Sequence, residues 1–145
     1  MKRLRCRGIA AIEAALVMFA TTSLLVAFVH CGRLALDCAA VDRAASAAAR
    51  YLAAVPLEIL HDAAQRGIAL AAARNLVDET LAAASVDVSG LQVDFLCDPG
   101  PCASLPPATT PAKAGVQVVV LFHDTLYPND YPTQVSSYAE VNRDN

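Results

Sequence analysis

An apolar run extends from Ile9 to Val29, interrupted by a single charge, Glu13. Those 21 residues measure about 32 Å as a helix, enough to cross a hydrocarbon core of about 30 Å. The periodicity persists beyond the run. Leu34, Cys38, Val41, Ala45, Ala48, Leu52 and Val55 recur at alternating spacings of four and three, with Cys31 one step earlier. That is an a/d seam, and Arg33, Asp37, Asp42, Arg43 and Arg50 lie off it. The pattern predicts one helix from the membrane run to Val55. Pro56 ends it by removing a backbone donor and disfavouring helical geometry in the residue before it. A second helix is expected over Leu57–Ala84, with Leu60, Ala63, Gly67, Leu70, Val77, Leu81 and Ala84 in rhythm and Arg74 breaking it.

The pattern changes to a period of two at Ser85. Val86-Asp87-Val88 alternates, Ser89-Gly90 reads as a turn or bulge, and Leu91, Val93 and Phe95 share a strand face opposite Gln92 and Asp94. Gly115 opens a second strand, Val116 to Phe122, apolar on both faces and therefore expected at the sheet centre. Tyr127-Pro128 and Tyr131-Pro132 suit an irregular connection, and Val135, Ser137, Ala139 and Val141 form a short edge strand. The fold class expected is α+β: a long N-terminal helix whose first half spans a membrane, a second helix and a small antiparallel sheet. The organisation is a basic leader over 1–8, a membrane-spanning half-helix over 9–30, an extracytoplasmic helical region over 31–84 and a small β region with a disulfide loop over 85–145.

Charge sets the orientation. The net charge of −3 conceals four basic residues (Lys2, Arg3, Arg5, Arg7) in 1–8, leaving seven basic and fourteen acidic side chains, net −7, in 9–145. The positive-inside rule keeps the leader in the cytoplasm and sends the rest outward. A body of that charge offers no concentrated basic surface, so nucleic acid is not an expected partner. The hydrophobic share of 56% and the mean hydropathy of +0.42 are high for a soluble chain. A removable secretory signal has a shorter apolar region ending in small residues at a cleavage site, whereas helical sequence here continues without a break. The run reads as an anchor.

Cys6 lies in the leader; Cys31, Cys38, Cys97 and Cys102 fall where an oxidising compartment permits disulfides. Cys97 and Cys102 flank Asp98-Pro99-Gly100-Pro101, a turn that brings the chain back on itself, and are read as a disulfide. Zinc is the weaker alternative, since His123 is the sole candidate third ligand. Cys31 and Cys38 stand about 10 Å apart along one helix, too far to bridge. They are small core residues or partners in an intersubunit disulfide. His61-Asp62 and His123-Asp124 invite a catalytic reading, but sequence neighbours point about 100° apart on a helix and to opposite faces on a strand. No nucleophile elbow, phosphate loop or dinucleotide motif is present. Neither an enzyme nor a cofactor or metal site is expected.

Glu13 has no use in a plain anchor, because a charge in the membrane interior costs about 2.5–3.5 kcal/mol at the centre and less towards an end. Arg7-Gly8-Ile9-Ala10-Ala11-Ile12-Glu13 resembles the processing site of type IV prepilins and pseudopilins. With the flanking Ala-Leu-Val and Cys31-Gly32-Arg33, residues 5–52 resemble the TadE-like minor pseudopilins of tight-adherence (Flp, type IVb) pilus systems. The resemblance implies cleavage between Gly8 and Ile9 by a prepilin peptidase on the cytoplasmic face. Ile9 then becomes the new N-terminus, a target for N-methylation, and Glu13 docks against the α-ammonium of an adjacent subunit. The implied partners are the prepilin peptidase, other pilins or pseudopilins, and the assembly platform of the bacterial inner membrane. Ala14 departs from the pattern: Flp major pilins usually carry Tyr there and many TadE-like proteins Phe, which points away from the major pilin. The expected function is a structural subunit for assembling an adhesion pilus. The alternative is a permanently anchored periplasmic domain that recruits a partner.

Overall fold

The computed structural model describes residues 7–88, 90–98, 100–106, 109–122 and 133–143, with side chains from Ala10 onward. Helix α1 spans Arg7–Ala54, α2 Leu57–His61 and α3 Ala63–Ala83. Strands β1 (Gln92–Cys97), β2 (Gly100–Pro101), β3 (Lys113–Phe122) and β4 (Thr133–Asn142) form one antiparallel sheet in the order β2-β1-β3-β4. A 3-10 turn at Cys102–Ser104 follows β2. The chain is α+β. It divides into two compact units, residues 1–36 and 37–145.

In the first unit every described side chain from Ala10 to Val29 is exposed. In the second, α1 buries Ala40, Val41, Ala44, Ala45, Ala48, Ala49 and Leu52. The expected seam is there at Val41, Ala45, Ala48 and Leu52, widened by Ala40, Ala44 and Ala49. These residues pack with Ala73, Val77 and Leu81 of α3 and with Ala114, Val116, Val118 and Val120 of β3. Burial is what holds the helix here, since an amphipathic face packed on a core stabilises a helix more than propensity does. Cys38 is only half-buried, so the seam fades towards the start of this unit.

Pro56 ends α1 as expected, but the second helix is not continuous. Asp62 adopts an extended conformation (φ −78°, ψ 117°) and its side chain accepts a 2.9 Å hydrogen bond from the Ala64 N–H, capping α3 and separating it from α2. An Asp preceding Ala63-Ala64 is a good N-cap. The buried face of α3 is Ala69, Ala73, Val77 and Leu81 at steps of four, not the expected a/d rhythm; Ala63, Gly67 and Ala84 are exposed. Arg74 therefore interrupts nothing, being off the buried row. At the end of α3, Ser85 takes a left-handed φ of 58° and the Val86 N–H reaches the Leu81 carbonyl at 3.0 Å. This closing turn sends Val86 into the core without a strand.

The strand expectations hold in type, with changed limits. Val93 and Phe95 are half-buried while Gln92 and Asp94 are exposed. β3 is central and begins at Lys113, and β4 is ten residues long instead of short. Gly115 lies under an aromatic ring: a Cβ there would lie 2.7 Å from the Tyr138 hydroxyl oxygen, so the exposed ring would have to swing aside. The Tyr138 ring crosses diagonally from β4 to cover this glycine, supplying the side-chain area that Gly lacks.

Candidate functional site: the N-terminal helix and the disulfide corner

The first candidate is the apolar half of α1. Gly8 and Ile9 lie in its first helical turns, and Glu13 is exposed further along. Glu13 makes no hydrogen bond or ion pair with any other described residue. The helix is long and apolar enough to cross a membrane, with a mean hydropathy of 2.1 over its best window. Three consecutive hydroxyls in mid-run, unremarked in the sequence pattern, are satisfied within the helix. Thr21 donates to the Val17 carbonyl at 2.9 Å, Thr22 to Met18 at 2.8 Å and Ser23 to Phe19 at 2.9 Å. With those bonds made the hydroxyls add little to the cost of immersion in lipid. Glu13 is then the only strongly hydrophilic group in the run. Cys31 is a free, exposed thiol and Cys38 a free, half-buried one.

The second candidate is the corner around the disulfide. Cys97 closes β1 and Cys102 opens the 3-10 turn, and the two are bonded with their Cα atoms 4.7 Å apart. β2 folds back so that Gly100 pairs with Cys97 and Pro101 with Leu96. Both sulfurs are buried against Val55, Leu60, Ala69 and Leu105. The bond thus consumes the thiols on which a metal reading rested. Two side chains pin the segment after it. Arg66 donates to the Leu60 carbonyl at 3.1 Å and to the Leu105 carbonyl at 3.0 Å. His61 Nε2 donates to the Thr109 carbonyl at 3.1 Å.

His61 and Asp62 are therefore structural here: one tethers a loop and the other caps α3. His123-Asp124 lies outside the described residues. Next to this corner, Tyr51, Val55, Pro56, Ile59, Ile68 and Ala69, with Gln65, line a mostly apolar hollow of about 410 Å³ that carries no carboxylate, amine or imidazole among the described residues. Replacing Cys97 and Cys102 together by serine is expected to lower stability by about 2 kcal/mol, the small loop-closure value for so short a ring. Urea unfolding of the full chain with and without a reductant measures it. A loss well above that figure would mean that the buried sulfurs contribute mainly by packing.

The outer face of the sheet carries a polar cluster that sequence reading missed. Lys113 Nζ lies 2.6 Å from Glu140 Oε1, and the Tyr138 hydroxyl donates to Glu140 Oε2 at 2.7 Å. Only the register between β3 and β4, which sets Lys113 diagonally across from Glu140, brings the three together. The hydrogen bond from Lys113, then that from Tyr138, holds the Glu140 carboxyl below its ordinary value. The hydrogen bond to Glu140 raises Lys113, and Tyr138 is raised first by the same partner. A lowered carboxylate stabilises the fold fully above its unfolded pKa of about 4.3 and loses that contribution as pH falls through the folded value. The raised Lys113 and Tyr138 contribute below their unfolded values of about 10 and lose it as pH rises through the folded ones. All three groups are exposed, so the effect should be small and fade in salt. Thermal unfolding of Glu140→Gln against the parent chain at pH 3 and pH 7 tests the acid arm: the difference should be present at neutral pH and vanish in acid.

The fold and these sites define a class: an α+β domain whose first helix carries a membrane-length apolar extension. Comparison with protein-family models, curated proteins and solved structures finds no match to this chain.

Proposed function

We propose that this protein is a minor pseudopilin of the TadE-like kind, cut after Gly8 and assembled through Glu13 into a tight-adherence pilus or its assembly machine. One observation carries the reading. Glu13 stands five residues beyond Gly8 as the lone charge in an exposed apolar run, without a described partner, on the helix that continues into the α+β domain. A carboxylate in that position is stabilised by a cation brought to it by another chain. Cleavage between Gly8 and Ile9 creates such a cation, the α-ammonium of each mature subunit. Pairing in the membrane plane then sets the axial register of neighbours. The leader stays in the cytoplasm, the anchor sits in the bacterial inner membrane, and the α+β domain faces the periplasm, where the Cys97–Cys102 bond is stable.

N-terminal analysis of the protein from its native host tests the reading. With an active prepilin peptidase the mature chain should begin at Ile9. A chain that still begins at Met1 or Lys2 would end the pseudopilin reading and leave a permanently anchored periplasmic domain that recruits a partner.

A further inference from the structure

We propose that the polar hollow on the outer face of the sheet, floored by Gly115 and flanked by Tyr138, binds a pyranose, the neutral hydroxyl-rich ring of a saccharide. The inference uses the second unit alone and stands whether or not the chain is processed after Gly8.

Strand register builds the hollow. Leu96, Gly115 and Glu140 lie side by side across β1, β3 and β4. The middle member of that row has no side chain, so the sheet is indented there, leaving about 300 Å³. Ligand pockets start at about that size, so there is room for one small ring. The floor and one wall are firmly held: Gly115 belongs to the central strand, and Leu96 precedes Cys97, whose disulfide closes the turn between β1 and β2. Tyr138 leans towards Gly115 from the other side and stays 53% exposed. The site lies at the end of β3 away from Phe122. Gly115, Lys113 and Glu140 are seven to nine residues along the ladder from the Phe122↔Thr133 pair, about 23–30 Å. A connection that leaves Phe122 and returns to Thr133 over residues 123–132 can extend its backbone about 19 Å from that pair, short of this floor.

The groups around the hollow select the ligand. The Lys113 ammonium has three donors and commits one to Glu140, whose carboxylate also accepts from Tyr138 and keeps lone pairs to spare. Asp98 faces the same hollow: behind Glu140, its charge is a lesser cause of the raised Lys113 and Tyr138 values. The Asp98 carboxylate makes no hydrogen bond or salt bridge with another described residue. Open donors and open acceptors therefore stand within one small space. An anion would meet two carboxylates, and a cation would meet the ammonium. A neutral ring of hydroxyls, each both donor and acceptor, satisfies both sets without a charge penalty. Its axial C–H groups carry a slight positive charge, which suits the negative face of an aromatic ring such as that of Tyr138. The polar groups are exposed, so binding in the millimolar range is expected.

Amide chemical shifts of the full-length protein, held in dodecylphosphocholine micelles that contain no sugar, test the proposal. The probes are methyl β-D-glucopyranoside, methyl β-D-galactopyranoside and N-acetyl-D-glucosamine, with glycerol and lysine amide as controls. At least one sugar should move the Leu96, Gly115, Tyr138 and Glu140 amides saturably, with little response to either control. Tyr138→Ala should weaken that binding about tenfold or more by removing the aromatic face. Gly115→Ala should do the same, because its Cβ pushes the ring aside and fills the floor. Asp98→Asn removes no described hydrogen bond of the fold and should weaken binding about threefold or more, which keeps the test decisive should the first two variants unfold. No saturable shift with any of the three sugars, an equal response to glycerol, or unchanged affinity in every folded variant would overturn the proposal. Saturable shifts with lysine amide and none with sugar would assign the hollow to a cation and overturn it as well. None of these readings depends on where the N-terminus lies, so failure here is separable from failure of the pseudopilin reading.

Discussion

On the proposed pseudopilin function, Glu13→Ala should insert into the membrane and be cut after Gly8 like the parent chain, yet fail to assemble. Removing the carboxylate makes the run more apolar, so insertion is not impaired; a charge at mid-membrane costs about 2.5–3.5 kcal/mol, and Glu13 near the end of the run costs less. What the variant loses is the pairing that this cost enforces. A loss of even about 1.4 kcal/mol of pairing free energy reduces the assembled fraction tenfold at limiting concentration. We therefore expect at least a tenfold drop of this protein in sheared or assembled fractions, with an unchanged amount in the membrane. Glu13→Gln separates charge from polarity: it keeps a hydrogen-bonding amide and removes the ion, and it should assemble as poorly as Ala. Immunoblots of membrane and sheared fractions read both variants. Unchanged incorporation of Glu13→Ala would remove the docking role and leave Glu13 as a tolerated charge near the lipid surface.

Arg143→Ala should produce the largest loss of stability among substitutions outside the apolar core. The guanidinium reaches from the end of β4 to the end of α1, donating to the Leu52 carbonyl at 2.8 Å and also to the Val55 carbonyl. Leu52 lies in the last turn of α1 and Val55 one residue past it, at the negative end of the helix dipole; the Leu52 carbonyl also accepts a long bond, 3.3 Å, from the Val55 N–H. Burial lowers the Arg143 pKa, a sign that the charge is withdrawn from water. Hydrogen bonds to a charged donor contribute about 1.5–3 kcal/mol, and losing this donor takes the guanidinium from the Val55 carbonyl and leaves the Leu52 carbonyl with only the long bond from the Val55 N–H. A total of about 3 kcal/mol is expected, a large share of the 5–15 kcal/mol that holds a typical domain. Arg143→Lys should recover less than half, because an ammonium lacks the planar fork that spans two carbonyls. Urea unfolding followed by near-ultraviolet circular dichroism measures both. A loss under about 1 kcal/mol for Arg143→Ala would show that water replaces the guanidinium without difficulty.

Arg143 also shows where sequence reading stopped. Nothing around Asn142-Arg143-Asp144 marks a helix cap for residues about ninety positions earlier in the chain. The contact exists because β4 runs antiparallel beside β3 and so ends near the last turn of α1. Arg66 is a similar case, bridging Leu60 and Leu105 across the disulfide corner. In contrast, Pro56, the Val41–Leu52 seam, the central position of Val116–Phe122 and the Cys97–Cys102 bond were all legible. Each rests on local chemistry: a missing donor, a repeating apolar step, apolar residues on both strand faces, or a turn-forming sequence between two thiols. The break at Asp62 was legible in principle, since Asp is a strong cap. Leu60 and Leu70 kept the apolar rhythm on either side of it and so masked the interruption. The face of α3 was lost for a related reason. Its alanines satisfy any helical period, and only tertiary contact selects the row: α1 and β3 for Ala73, Val77 and Leu81, and the disulfide corner for Ala69.

The candidate site divides in the same way. The amino-acid sequence alone determined the apolar run, its single carboxylate, the glycine before it and the four basic residues ahead of that, because a helix's suitability for lipid depends on composition and length along one segment. The tertiary structure decided what the distal domain presents. Strand order is a property of pairing between segments remote in sequence, and it alone places the two-residue β2 at one end of the sheet and the ten-residue β4 at the other.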